Sequence, residues 1–318
     1  MSADSARLTL SLPVCGPAAA AGPRPVVELA TRAEELGVDG IAVADHVAIG
    51  PDTGGYPFGE FPLPSDAPFL EPLSLLMAIA TVTRRVRLTT GILIAPLRPA
   101  VLLAKIAATV DVMSDGRLEL GVGVGWHEAE YDACGVDFHR RGVVLDDMIG
   151  ACRALWTAPM ATYESASVKF ELLSSVPLPV QQPLPVLFAG SAHARNLARL
   201  GASGDGWITV MGAEPASIAE GVDRIRAARR AHGRDDAAFI VRAELAPRTD
   251  ARGRPDVTAT FEDAPDLVAA GVTDVQFPMP YFVSDPSRAH DVLERVVAAW
   301  HEVMALNPPD PDHEDANT

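Results

Sequence analysis

The chain has 318 residues, of which 48% are hydrophobic, so it is long enough to bury one large core. Its formal net charge of −16 argues against nucleic acid and against an anionic membrane surface as binding partners. Asp4 and Pro13 interrupt the only N-terminal stretch that resembles a signal peptide, and no run is long enough to span a membrane. We therefore expect a cytoplasmic protein.

Three cysteines, Cys15, Cys134 and Cys152, show no C-x-x-C spacing and cannot all pair with one another. This pattern indicates reduced thiols, which are more typical of buried small hydrophobic residues than of nucleophiles. We expect residues 1–6 to be a poorly ordered leader and the acidic, proline-rich residues 306–318 to be a disordered tail.

Apolar segments and helical patterns alternate along the chain. The predicted strands, in chain order, are residues 8–14, 40–44, 86–90, 117–122, 185–189, 206–210, 239–245 and 274–277. The predicted helices are residues 25–36, 72–83, 100–113, 140–156, 194–200, 215–231, 261–270 and 286–304.

Eight strand–helix units predict an α/β fold, a (β/α)8 TIM barrel over residues 7–305, with a doubly wound open sheet as the alternative. Two segments exceed the length of a simple connection. Residues 50–69 form a long loop after strand 2, and residues 157–184 lie before strand 5. The prolines of the second segment exclude a helix, so we expect an extended hairpin or cover there.

Several familiar motifs fail on inspection. The glycines of "GVGVGW" do not open a helix as a Rossmann fingerprint would, and no Walker phosphate loop occurs. In "HEAEY", Tyr131 occupies the place of the second histidine of a zinc protease motif. No serine-hydrolase elbow occurs either. We therefore expect no metal site.

Polar residues interrupt strand 2 at its C-terminal end, where Asp45 and His46 follow a small apolar run. Active sites of (β/α)8 barrels lie at that face, so the pair is a candidate for acid–base chemistry. The alternative is that Asp45 caps a turn and His46 is a loop imidazole with satisfied hydrogen bonds.

Glycines mark the ends of strands 3, 4 and 5, at Gly91, Gly123, Gly125 and Gly190. They allow close approach of a flat ligand, although each could also belong to an ordinary barrel turn. After strand 5, "AGSAHAR" would present free N–H groups of Gly190 and Ser191 at a helix beginning near Ala192, which favours a phosphate. Arg195 could assist.

The segments "GVDGIAVADHV", "LLAKIAATVDVMSDGRLELGVGVGWHEAEYDACGVDFHRRG" and "LFAGSAHARNLARLGASGDGWI" closely resemble the luciferase-like monooxygenase superfamily. Within it they look most like the branch that uses the deazaflavin coenzyme F420. The resemblance implies a (β/α)8 barrel with a flavin-like ring at its mouth. Asp45 would lie near the polar edge of the ring and His46 near its reacting position.

The resemblance also implies a non-proline cis peptide at Gly91–Ile92, which would form a bulge behind the ring. The remaining implied cofactor contacts border the ring or the phosphate, and they are Val124, Gly125, Trp126, Ala189, Gly190, Ser191 and Ala192. Sugar-phosphate dehydrogenases of this branch carry Glu where Trp126 stands, which argues against glucose 6-phosphate as the substrate. Arg98-Pro99-Ala100 departs from the common Arg-His-Pro.

The resulting hypothesis is an oxidoreductase that transfers a hydride between F420 and a small, fairly apolar organic substrate. His46 would be the general acid or base, Asp45 would contact the cofactor and bias His46, and Trp126 would wall the substrate pocket with Tyr56, Phe58 and Phe61. One alternative is an FMN-dependent monooxygenase with a separate reductase, and another is a non-catalytic flavin-binding relative. The family suggests a homodimer.

Overall fold

The computed structural model describes residues 6–234 and 238–306. The strands described there are β1 (Arg7–Ser11), β2 (Gly40–Val43), β3 (Arg87–Thr90), β4 (Leu93–Ile94), β5 (Leu118–Gly123), β6 (Ala161–Glu164), β7 (Lys169–Leu173), β8 (Val186–Ala189), β9 (Gly206–Ile208), β10 (Ile240–Glu244) and β11 (Asp274–Pro278). The helices are α1 (Gly16–Ala20), α2 (Pro23–Glu35), α3 (Pro72–Val82), α4 (Ala100–Met113), α5 (Glu128–Ala133), α6 (Arg141–Thr157), α7 (Ala194–Ala202), α8 (Pro215–Ala231), α9 (Val257–Phe261), α10 (Ala264–Ala269) and α11 (Ala289–Leu306).

A closed parallel barrel is formed by eight of these described strands, in the order β1, β2, β3, β5, β8, β9, β10, β11 and back to β1. The pairing of Leu88 with Leu118 joins β3 to β5, and that of Leu10 with Phe277 joins β1 to β11. The predicted (β/α)8 fold is therefore confirmed, and the open sheet is excluded. Because all eight strands run in parallel, their C-terminal ends meet at one mouth.

Successive side chains of each barrel strand point alternately toward the surrounding helices and into the barrel interior. On β1, Leu8 and Leu10 are 2% and 0% exposed and belong to the apolar layer between the strands and the helices. Arg7 points the other way, into the barrel, where it contacts Glu119 and Asp274. The outward face of β1 thus contributes to the hydrophobic core, and its inward face carries the charged Arg7.

The lower half of the barrel interior is filled by ion pairs centred on Arg242. This fully buried guanidinium donates to Glu119 Oε2 at 2.6 Å and to Asp274 Oδ2 at 2.7 Å. Although burial raises the pKa of Glu119, the charges of Arg242, Arg7 and Arg87 lower it to about 2. These contacts connect five strands of the wall and close the barrel floor.

Some predicted boundaries are wrong. The helix predicted over residues 261–270 is confined to α10, and the separate short helix α9 ends at Phe261, because Pro265 lacks the N–H that would join the two. The short helix α5 was not predicted, and α11 begins three residues later than expected, after a 3₁₀ turn at Pro286–Arg288.

Two long insertions flank the barrel as predicted. Residues 50–69 follow β2, and the segment of residues 157–184 contains the antiparallel hairpin of β6 and β7. Two X-Pro bonds in that second segment, Val176–Pro177 and Gln182–Pro183, are cis. Apart from Ala6 and Leu306, the predicted leader and tail lie outside the described residues. Cys15, Cys134 and Cys152 form no disulfide.

We expect Arg242→Ala to lower the free energy of unfolding by about 3–5 kcal/mol, because Glu119 and Asp274 would lose their shared buried cation. Urea unfolding at neutral pH measures this loss. The matched control is Arg254→Ala, whose side chain is 67% exposed and pairs with Asp250, and which should cost no more than about 1 kcal/mol. Similar losses in both variants would contradict this role of Arg242.

Candidate active site

A cavity of about 480 Å³ opens at the barrel mouth. This volume falls in the range of roughly 300–1,000 Å³ that is typical of ligand pockets. Its walls include eight residues that the sequence singled out as site residues: Asp45, His46, Gly91, Ile92, Gly125, Trp126, Ala189 and Gly190. Residues far apart in the chain thus meet around a single space.

The peptide bond between Gly91 and Ile92 is cis, as the resemblance implied. It lies directly after β3, and the short strand β4 follows it and pairs with the C-terminal end of β5. A Cβ atom at Gly91 would lie 3.1 Å from Ala42 Cβ, which is tighter than ordinary contact. Glycine is therefore favoured at this point of the cavity wall.

Both carboxylate oxygens of Asp45 accept hydrogen bonds from other groups of the protein. Its carboxylate accepts hydrogen bonds from Arg98 Nη1 at 2.7 Å, from Arg98 Nη2 at 2.9 Å and from Ile94 N at 2.9 Å. Burial lowers the pKa of Arg98, but the hydrogen bonds and charges of Asp45 and Glu71 raise it overall. Asp45 therefore fixes the segment after the cis peptide while it borders the cavity.

His46 has a different carboxylate partner from the one predicted. Its Nδ1 lies 3.2 Å from Glu130 Oε2, whereas no contact joins it to Asp45 in the part of the chain that the structure describes. Glu130 Oε1 also accepts from the backbone N–H groups of Val47 and Ala48. Burial raises the pKa of Glu130, but His46 and these N–H groups lower it overall. Glu130 is therefore the carboxylate that pairs with His46, and the electrostatic effect of Asp45 on His46 stays a prediction.

Glu130 contacts the candidate site through His46, and the sequence analysis did not identify it. It lies on α5, within the "HEAEY" stretch that was examined only as a zinc motif. The neighbouring His127 accepts a hydrogen bond at Nε2 from Gly50 N at 2.8 Å, so it anchors the start of the long loop.

An aromatic wall surrounds the imidazole of His46. The ring centroids of Phe69, Trp126 and Phe61 lie 5.3, 5.6 and 6.0 Å from that of His46, in edge-to-face arrangements. Tyr56 extends the wall through contacts with Phe61 and Trp126, and Phe58 lies against Tyr56. The predicted walling role of Trp126, Tyr56, Phe58 and Phe61 matches their position in the cavity lining.

The loop after β8 differs in detail from the prediction. Gly190 N donates to Ile208 O at 3.0 Å, so this N–H is not free for a phosphate, contrary to expectation. The Gly190 and Ser191 carbonyls turn inward and accept from Trp207 Nε1 at 2.7 Å and Asn196 Nδ2 at 3.1 Å. The N–H groups of Ser191 and Ala192 have no acceptor among the described residues, and they precede α7.

Three predicted residues lie outside the main cavity. Ser191 and Ala192 line a neighbouring hollow of about 410 Å³, which shares Val210 with the main cavity. Val124 packs against the core and accepts from Tyr131 Oη at its carbonyl. Arg195, which could assist the loop or be a solvated surface residue, has a half-exposed side chain that lies 3.5 Å from Asp146.

A second acid, Glu244, enters the cavity from the end of β10 and was not predicted. Its Oε1 accepts from Ser11 Oγ at 3.0 Å, and Ser11 Oγ accepts from Gln276 Nε2 at 2.7 Å. Burial raises the pKa of Glu244 to about 7, although the hydrogen bonds of Ser11 and Gln276 lower it. The signal was present in the alternation of β10, where Arg242 and Glu244 share the inward face.

The described lining of the main cavity contains no lysine or arginine. The described residues also hold no group of three or more side chains suited to a metal ion, and no helix among them is long and apolar enough to cross a membrane. The residues present thus suit a neutral or cationic group in this cavity better than a phosphate.

Comparison with known proteins places this geometry in context. The family model of luciferase-like monooxygenases matches residues 8–295. An uncharacterised protein of Mycobacterium tuberculosis is 35% identical over 242 residues, which are 76% of this chain and 80% of that protein. The F420-dependent glucose-6-phosphate dehydrogenase of Amycolatopsis mediterranei is 34% identical over 198 residues, which are 60% of this chain and 54% of the dehydrogenase.

A solved structure shares the fold. An F420-dependent secondary alcohol dehydrogenase in complex with an F420–acetone adduct aligns with a TM-score of 0.72, covering 93% of this chain and 99% of that one. The identity is 15%, so this likeness shows the barrel alone.

We expect Asp45→Asn to destabilise the protein by about 3 kcal/mol, because it breaks a bidentate ion pair that is largely buried. Thermal and urea unfolding measure the change. Glu71→Gln is the matched control, since Glu71 contacts the same Arg98 at 3.0 Å with a side chain that is 44% exposed; its cost should stay near 1 kcal/mol or less. Equal effects would show that Asp45 does not hold Arg98.

Proposed function

We propose that this chain, which belongs to the luciferase-like monooxygenase family, is an F420-dependent oxidoreductase that transfers a hydride between the deazaflavin and a small organic substrate. The observation that carries the proposal is the meeting of His46, the cis Gly91–Ile92 peptide and the loop at Ala189–Gly190 around one cavity. The similarity to F420-dependent glucose-6-phosphate dehydrogenases supports the choice of cofactor.

Residues of the main cavity and of the neighbouring hollow fit such a cofactor. When bound, the deazaflavin would supply the hydride chemistry, and its ring would lie against Gly91 and Ile92. The free N–H groups of Ser191 and Ala192 would hold the phosphate, with the N-terminus of α7 behind them.

His46 is the proposed proton donor or acceptor. Its Nδ1 is held by Glu130, so Nε2 is the atom available for proton transfer, and it has no partner among the described residues. The Glu130 carboxylate would stabilise the imidazolium when His46 takes up a proton, and Trp126 and Phe61 would exclude water from the site.

The substrate of this proposed reaction differs from glucose 6-phosphate. Trp126 stands where the sugar-phosphate dehydrogenases of this branch carry Glu. The described cavity wall also carries no Lys or Arg that could bind a substrate phosphate. Glu244 lines this wall without an ion-pair partner among the described residues, and its negative charge would repel an anion. A cytoplasmic location, a homodimer and a separate source of reduced cofactor stay predictions.

Titration of the purified protein with F420 should give saturable binding, and Ser191→Glu should weaken it by at least about tenfold, because a carboxylate would oppose the phosphate at the free N–H groups. Fluorescence quenching of the cofactor measures the affinity. Ser191→Gln is the control of similar size without the charge. Equal affinities of the two variants for F420 would show that the phosphate binds elsewhere.

The same titration with FMN distinguishes the alternative cofactor. Saturable binding of FMN without binding of F420, together with consumption of oxygen, would contradict the proposed function and support an FMN-dependent monooxygenase. Binding of F420 without turnover of any substrate by the wild-type protein would instead support a non-catalytic relative.

His46→Gln should lower turnover by about 10²–10⁴, the usual contribution of a general acid or base, with little change in F420 affinity. The assay follows anaerobic oxidation of reduced F420 against a panel of small carbonyl and imine compounds. His139→Gln removes an imidazole whose side chain is 82% exposed and should leave turnover unchanged. Full activity of the His46 variant would exclude its acid–base role.

A further inference from the structure

Glu244 differs from three other buried acids of the barrel, Glu119, Asp274 and Asp45. Glu119 and Asp274 both contact Arg7 and Arg242, and Asp45 contacts Arg98. Glu244 has no ion pair within the described residues. Its partners there are neutral, the hydroxyl of Ser11 and the amide of Gln276. A carboxylate in a largely apolar cavity thus lacks the cationic partner that Glu119, Asp274 and Asp45 have.

Gln276 offers a second hydrogen-bond acceptor in the same cavity. Its side chain is 2% exposed and lines the same cavity, yet its Oε1 atom has no hydrogen-bond partner. Buried carbonyl oxygens of this kind are satisfied in the great majority of native proteins. Gln276 Oε1 lies 3.7 Å from the place that a Cβ atom of Gly91 would take, so it faces the part of the cavity next to the cis peptide.

The hydrogen bonds between these residues have a direction. Gln276 donates to Ser11, and Ser11 donates to Glu244, so the donors converge on the carboxylate. What remains for a ligand is a set of acceptors, namely the Glu244 carboxylate and Gln276 Oε1. Acceptors without a cation recognise a group that carries positive charge and several N–H donors.

The titratable groups that face Glu244 do not supply that charge. Tyr56, from the loop after β2, and Tyr281, after β11, both interact with Glu244, and Cys15 lies near Tyr281. Burial raises the pKa of both phenols and raises that of Cys15 to about 11, so all three are neutral near pH 7. His46 lines the same cavity but bonds to Glu130.

We infer that Glu244 and Gln276 form a recognition point for a protonated amine, so that the substrate is a small, mostly apolar molecule with a primary or secondary ammonium group. As a statement about the substrate, the inference rests on the proposed function. The apolar and aromatic walls would bury the body of the molecule, while the ammonium group would donate to the Glu244 carboxylate and to Gln276 Oε1.

Three probes of matched shape test the inference: cyclohexylmethylamine, cyclohexylmethanol and cyclohexanecarboxylate. Calorimetry at pH 8 should show that the amine binds at least about tenfold more tightly than the alcohol, because a charge-assisted hydrogen bond is stronger than a neutral one. The carboxylate should bind most weakly. No binding of the amine at millimolar concentration, or equal binding of amine and alcohol, would overturn the inference.

Variants assign the preference to the named groups. Glu244→Gln should abolish the preference for the amine, and Gln276→Met should reduce it. Glu220→Gln removes the same net charge at an exposed acid outside the main cavity and should keep the preference. A preference that persists in Glu244→Gln would contradict the assignment. Far-UV circular dichroism confirms that each variant is folded.

The number of protons released when the amine binds is a further test, because a purely structural role of Glu244 would not change this number. Burial raises the pKa of Glu244 to about 7, and an ammonium group favours its ionised form, so binding of the amine near pH 7 should release protons. Calorimetry in buffers of different ionisation enthalpy measures this number. The Glu244→Gln variant should release none, and equal release in both proteins would contradict the inference.

F420 titration separates the two proposals. Glu244→Gln should bind F420 as the wild type does; a tenfold loss would make Glu244 a cofactor ligand and overturn the inference. If the wild type selects the amine but does not bind F420, the proposed function fails while the recognition point stands.

Discussion

The buried ion pairs of Arg242 are the interaction on which the remaining architecture depends. A guanidinium that contacts Glu119 and Asp274 inside the barrel fills its lower half with buried ion pairs. The parallel strands are therefore held in a closed ring from within as well as by their backbone ladders. Because the floor is closed by these groups, the upper half of the interior can stay hollow and hold a ligand.

At the barrel mouth, buried carboxylates are again paired with basic side chains. Asp45 is neutralised by Arg98 and fixes the segment that follows the cis peptide, and Glu130 fixes the imidazole of His46. Both pairs bring strand ends together with segments outside the barrel wall. Glu244 departs from this pattern, since its described partners are neutral. The presence or absence of a cationic partner, rather than the number of acids, distinguishes Asp45 and Glu130 from Glu244, the group that we infer binds a ligand.

Much of the site could be predicted from the sequence because strand ends are local features. Asp45 and His46 directly follow an apolar strand, and Gly91 and Gly190 interrupt two others, so barrel topology alone brings them to one mouth. The partners of these residues could not be predicted in the same way. Arg98 lies 53 positions from Asp45 and Glu130 lies 84 from His46, and α5 is too short to give a helical period. Glu244 required knowledge of which face of β10 points inward.

The central claim is that a single cavity binds the deazaflavin ring against Gly91–Ile92, next to His46. A crystal structure of the protein with F420 tests it most directly. The account predicts the ring on the Gly91–Ile92 peptide, with His46 Nε2 near its reacting position and the phosphate at Ser191 and Ala192. A ring bound elsewhere, or bound in this cavity with its phosphate far from the loop after β8, would contradict the account.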